Sequence, residues 1–191
     1  MKVFRSLLII SSILLLNSFS ALAQVDYFGL PKVSLAGNDY LLRWSSKTKT
    51  GRYLEEFLMK NENMTRFESK VIVECTAKGA EVEKEENALM TRLSLQKEQS
   101  IVFSFNKIEP LKEGELWIEY VQGNVQGGQT FTLEWNIARI RQVGDRVVFF
   151  RYLHRTYKDE LDDFMKKVEK KRAEWLKNAS DFGLETVSVK N

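Results

Sequence analysis

The chain has 191 residues, with 29 Lys and Arg against 26 Asp and Glu, one His and one Cys, for a formal net charge of +3. So small an excess gives no electrostatic footprint for a general nucleic-acid or anionic-membrane binder. A single Cys excludes an internal disulfide, and one Cys with one His argues against a zinc or copper site.

The first 23 residues carry the most specific signal. Lys2 and Arg5 precede an apolar run from Leu7 to Leu16, broken by Ser11 and Ser12, and Ala21-Leu22-Ala23 follows. This is the three-part pattern of a secretory signal peptide, with cleavage expected after Ala23. A spanning helix needs about 20 apolar residues, and this run is roughly half that. Without the leader's two basic residues the formal charge falls to +1, 27 minus 26. No later run is long enough to span a bilayer, so the predicted location is periplasmic or secreted.

Residues 24–37 are expected to be an extended segment leading into one domain, 38–191. Tyr40, Leu42 and Trp44 alternate over a predicted strand at 38–45, and 46–52 reads as a polar loop. Residues 53–59 (YLEEFLM) fit one helical face but are short for a helix. The run 70–77 predicts a strand with Val71, Val73 and Cys75 on one side. Residues 80–98 are charged and free of Gly and Pro, with Val82, Leu89 and Leu93 at helical spacing. Strands are then predicted at 100–106, with Ile101, Phe103 and Phe105 on one face, and at 115–122, with Leu116, Ile118 and Tyr120 on one face. That register puts Trp117 outward among Glu115 and Glu119.

GNVQGGQ (123–129) reads as a Gly-rich hairpin connection, leading to strands at 130–142 and 145–157. In the closing helix, Leu161, Phe164, Met165, Val168, Trp175, Leu176 and Ala179 share a broad face. Thr156 and Asp159 resemble a capping box, and acidic residues lead basic ones along it. Phe182-Gly183 is the expected stop. The fold class is α+β: an antiparallel meander with an amphipathic helix inserted mid-chain and a long C-terminal helix packed on the sheet.

Five arginines, the one histidine and five aromatic residues crowd into EWNIARIRQVGDRVVFFRYLHRTY, around Gly144-Asp145. A two-residue turn there sets Val143 opposite Arg146 and Trp135 opposite His154. One face then collects Leu133, Trp135, Ile137, Val148, Phe150, Tyr152 and His154, and is the expected core face. Glu134, Asn136, Arg151 and Arg155 fall on the other, with Glu134 opposite Arg155. Arg139 and Arg141 lie on the core side near the turn. The outward set is either an ordinary solvated sheet surface or, with Trp117 nearby, a site for an anion or an acidic partner.

Cys75 and His154 are the only candidates for a thiolate nucleophile and its base, though the apolar alternation around each suits an inert thiol and a core histidine better. No P-loop, dinucleotide glycine fingerprint, nucleophile elbow or His-Glu-x-x-His helix occurs. No cofactor and no metal are expected.

The run FTLEWNIARIRQVGDRVVFFRYLHRTY, followed by an acidic-then-basic helix, resembles the C-terminal half of small exported proteins of Gram-negative bacteria with no assigned function. In outline the chain is similar to the Mog1/PsbP-like α/β sandwich. That resemblance implies a binding or assembly module and supplies no catalytic residues. The leading expectation is an exported, non-enzymatic binding or assembly factor of the bacterial cell envelope, working by protein–protein contact through the outward sheet face (Trp117, Glu134, Arg151, Arg155) or the helix at 80–98. The alternatives are a small hydrolase using carboxylates or Cys75 and His154, and a carrier of a small apolar ligand beneath the closing helix.

Overall fold

The computed structural model describes residues 24–126, 129–157 and 160–190, with side chains throughout except at 125–131. The leader-like residues 1–23 and the proposed capping residue Asp159 lie outside them. Eight strands form: β1 (Lys32–Leu35), β2 (Asn38–Lys47), β3 (Tyr53–Met59), β4 (Ser69–Cys75), β5 (Val102–Ile108), β6 (Leu116–Gln126), β7 (Gln129–Val143) and β8 (Arg146–Tyr157). Helix α1 (Val82–Glu98) separates β4 from β5, and α2 (Leu161–Ser180) follows β8. The sheet order is β1-β2-β3-β4-β8-β7-β6-β5, and every neighbouring pair is antiparallel.

The hairpin at Gly144-Asp145 forms in the expected register: Val143 faces Arg146, Trp135 faces His154 and Glu134 faces Arg155. Gly144 takes φ of +59°, the left-handed conformation such a turn favours. The connection expected at 123–129 is shorter than that, because β6 runs on to Gln126 and β7 starts at Gln129. Gly123 therefore sits inside a strand. A Cβ there would meet the Phe103 ring at 2.8 Å and both the Leu133 side chain and the Thr132 carbonyl at 2.9 Å, so only glycine fits.

Both faces of the sheet are covered, where the sequence pattern suggested one. On one face Phe164, Val168, Trp175, Leu176 and Ala179 of α2 pack on Val71, Val73, Trp117, Trp135, Ile137 and Phe150, and Phe28, Leu184 and Val187 extend that core. On the other, Leu89 and Leu93 of α1 pack on Ile118, Tyr120, Ala138, Ile140, Val147 and Phe149. A smaller cluster of Leu58, Phe67, Ile72 and Leu153 continues that side. Strands buried on two sides lose strict polar–apolar alternation. That is why YLEEFLM looked helical: it is β3, with Glu55 and Phe57 toward α2 and Leu54 and Leu58 toward the α1 side.

The extended leading segment includes an edge strand, β1, whose Val33 and Leu35 are buried. Two further expectations are corrected. The outward face expected to hold Trp117 does not exist there: Trp117 is 1% exposed within the α2-side core. Phe103 and Phe105 do not share a face, because β5 carries a bulge between Val102 and Ser104. The extra residue sends Phe103 to the α2-side core and Phe105 to the α1-side core.

Candidate functional site

A cleft of about 600 Å³ opens between α2 and the β5–β6 end of the sheet. Val121, Trp135 and Val168 contribute apolar surface, Ser104 and Asn106 come from β5, and Met165 stands at the α2 side, 37% exposed. Glu119 ties the walls together: it accepts Trp135 Nε1 at 2.6 Å and Arg172 Nε at 2.8 Å through Oε1, and Arg172 Nη2 at 2.8 Å through Oε2. Asp162 and Glu169 also line the cleft, and among the described residues neither has a cation within 4.0 Å. Its Lys166 is engaged with Asp163. The lining thus offers an apolar floor, two available carboxylates and, alongside, the last strand of the sheet, paired on one side only. Every second residue of such a strand turns its backbone N–H and C=O outward.

The arginines singled out from sequence lie on the opposite face. Arg155 is held by Glu134, which Gln122 Nε2 also reaches at 2.6 Å. Arg151 lies beneath α1, opposite Ile72 and Ala138. The face is not solvated: Glu134 is 6% and Asn136 0% exposed. The structure brings Glu134 and Arg155 together and separates both from Trp117, whose side chain projects through the other side of the sheet.

Trp117 instead belongs to a buried ionic assembly that sequence reasoning missed. Glu115 accepts Arg139 Nη2 at 2.6 Å and Nε at 2.8 Å, and also Trp117 Nε1 at 2.8 Å. Arg139 Nη1 donates to the carbonyls of Ala179 and Phe182, closing the C-terminal end of α2 where carbonyls lack helical partners. The signal was present in the hairpin register, which put Arg139 on the core side. A core-side arginine requires a carboxylate.

Cys75 and His154 do not form a pair. Cys75 faces Val148 in the register, and His154 lies six residues further along β8 (148 to 154), about 20 Å at strand spacing. Burial pushes the Cys75 thiol up to about 11, against the opposing pull of Arg146, so the thiolate is scarce at neutral pH. Burial, with Lys167 and Lys171 adding to it, holds His154 down to about 3. Its ring stacks on Trp175 at 3.8 Å between centroids. Both residues are packing elements of the α2-side core.

No helix among the described residues is long and apolar enough to cross a membrane. No curated protein matches the chain. A model of an uncharacterised protein family matches residues 28–184, and the chain belongs to that family.

Proposed function

We propose that the chain is an exported, non-enzymatic binding or assembly factor of the bacterial cell envelope, and that it takes an extended segment of a partner protein in the α2 cleft, paired along β5. The carrying observation is the position of this cleft directly beside an edge strand with one free side. A cleft that opens to the surface suits a stretch of chain better than an enclosed apolar ligand. Main-chain hydrogen bonds to β5 would supply affinity, and alternate side chains would enter the cleft. Val121, Trp135 and Met165 favour apolar residues there, and Asp162 with Glu169 favours a Lys or Arg at the rim. Export rests on the leader pattern at 1–23; the protein recovered from the periplasm or medium is expected to begin at Gln24.

A photoreactive residue at Ser104, activated in the native envelope, tests the contact. Specific crosslinks should form, should be lost in Met165→Glu, and should persist in Arg92→Glu, which alters the far side of the sheet. Absence of crosslinks from Ser104, or crosslinks indifferent to Met165→Glu, would count against the cleft as the contact surface.

A further inference from the structure

The geometry points to a second binding site, for a compact oxyanion (a phosphate or carboxylate group), in the groove between α1 and the sheet, with Arg151 and Arg92 as its ligands. This site is on the opposite face from the α2 cleft and stands independently of the proposed function.

A guanidinium drawn out of water is costly unless it finds an acceptor. Most other partly buried arginines among the described residues meet that requirement. Arg139 has Glu115, Arg155 has Glu134, Arg172 has Glu119, and Arg52 has Glu74 and Glu85. Arg146 donates to backbone carbonyls, as does Arg43 through Nη2, although Arg43 Nε is buried without a partner. Arg151 has neither a carboxylate nor a carbonyl acceptor among the described residues. It is partly buried beneath α1, its one contact in hydrogen-bond range is Tyr120 Oη at 3.5 Å, and among the described residues no carboxylate comes within 4.0 Å.

The surroundings leave room for a ligand. Two hollows of about 390 Å³ and 210 Å³ lie along α1, and Arg92 and Arg151 line both. The small side chain of Ala138 sits across from Arg151 in the register. Glu74 and Glu85, which line the larger hollow, are occupied by Arg52, so the Arg92–Arg151 junction keeps its positive charge. Asn136, paired in register with Tyr120 on this face, is fully buried, and neither polar atom of its side chain has a partner among the described residues. An oxyanion at the junction would receive the planar fork of Arg151, a second guanidinium from Arg92 and the Tyr120 hydroxyl as a further donor. The hollows are sized for a small molecule or one anionic side chain.

The test is titration of the full-length mature protein with inorganic phosphate and, separately, with citrate, against sodium chloride at matched ionic strength. Thermal unfolding and the Arg side-chain Nε–H resonances are followed together. The expected result is a saturable rise in melting temperature for at least one of the two, with the Arg151 resonance moving at the same midpoint. Which anion binds more tightly distinguishes a phosphate from a carboxylate ligand. Arg151→Gln should weaken binding by about tenfold or more and Arg92→Gln by several-fold; the latter changes an exposed side chain, so it reports even if the former fails to fold. No saturable effect of either anion, or undiminished affinity in Arg92→Gln, would overturn the site.

Discussion

Arg139 and Arg151 sit on neighbouring strands and face opposite sides of the sheet, and their surroundings decide what each does. Arg139 is fully buried with its carboxylate and two helix-end carbonyls in place, so removing Glu115 would strand a charge in the core. Glu115→Ala is expected to destabilise the fold by about 3–5 kcal/mol, read as a fall in the urea midpoint with an unchanged slope. A smaller loss, under about 1 kcal/mol, would mean the pair is solvated. Cys75, 1% exposed with its thiol held protonated, should be alkylated in the native protein roughly tenfold or more slowly than in denaturant; equal rates would contradict its burial. The hairpin register, fixed by Gly144-Asp145, was legible to the residue, and with it the Glu134–Arg155 pair. The environment of Trp117 was not, because alternation sorts side chains into two sets without saying that both sets are covered.

At the scale of elements, α1 is the main cause of that difference. Its stripe is narrow, with Leu89 and Leu93 fully turned to the sheet, yet it converts an expected solvent face into a second core. A helix with so little apolar surface can be recognised from its spacing, but where it docks depends on the crossover from β4 to β5, which has no local signature. The bulge in β5 was equally silent: inserting Phe103 leaves the sequence looking like regular alternation while moving Phe105 to the other face. Its tight companion is Gly123, across from it on β6. Gly123→Ala is expected to cost about 1–3 kcal/mol by overpacking against Phe103 and Leu133, and to loosen the β5 edge in hydrogen exchange. A neutral Gly123→Ala would show that β5 shifts freely. α2, by contrast, was legible in its position, its charge order and most of its stripe, which follow from the helix alone, although Met165 of that stripe stands exposed at the cleft.

For the whole molecule, a buried carboxyl and a half-buried imidazole on the α2 side of the sheet set opposite pH dependences. Glu55 accepts the Tyr27 and Phe28 amides at 2.5 Å and 3.3 Å, and burial raises it from 4.5 to about 7 despite those bonds. The folded state thus holds a proton there that the unfolded chain gives up near 4.5. Its stabilising contribution is full below 4.5 and is lost as pH rises through about 7. His154 is depressed from 6.5 to about 3, so its folded form stays neutral where the unfolded chain would be charged. That contribution is full above 6.5 and is lost as pH falls toward 3. Between 4.5 and 6.5 the two slopes oppose, and stability is expected to be greatest there. Glu55→Gln should gain on the parent protein as pH rises from 4.5 to about 7 and keep that gain above it, and His154→Phe, which keeps an aromatic ring against Trp175, should gain as pH falls from 6.5 toward 3. Parallel stability curves for parent and variants across this range would contradict the burial of both groups.

We propose that a partner's extended segment adds to β5 beside α2. Hydrogen exchange on the partner-bound protein, using whichever partner the Ser104 crosslink captures, tests it most directly. The outward-facing amides of Val102–Ile108 should become protected on binding, those already bonded to β6 should change little, and Met165→Glu should abolish the gain. Protection confined to α1 or to the β1 edge, with β5 amides exchanging as in the free protein, would contradict it.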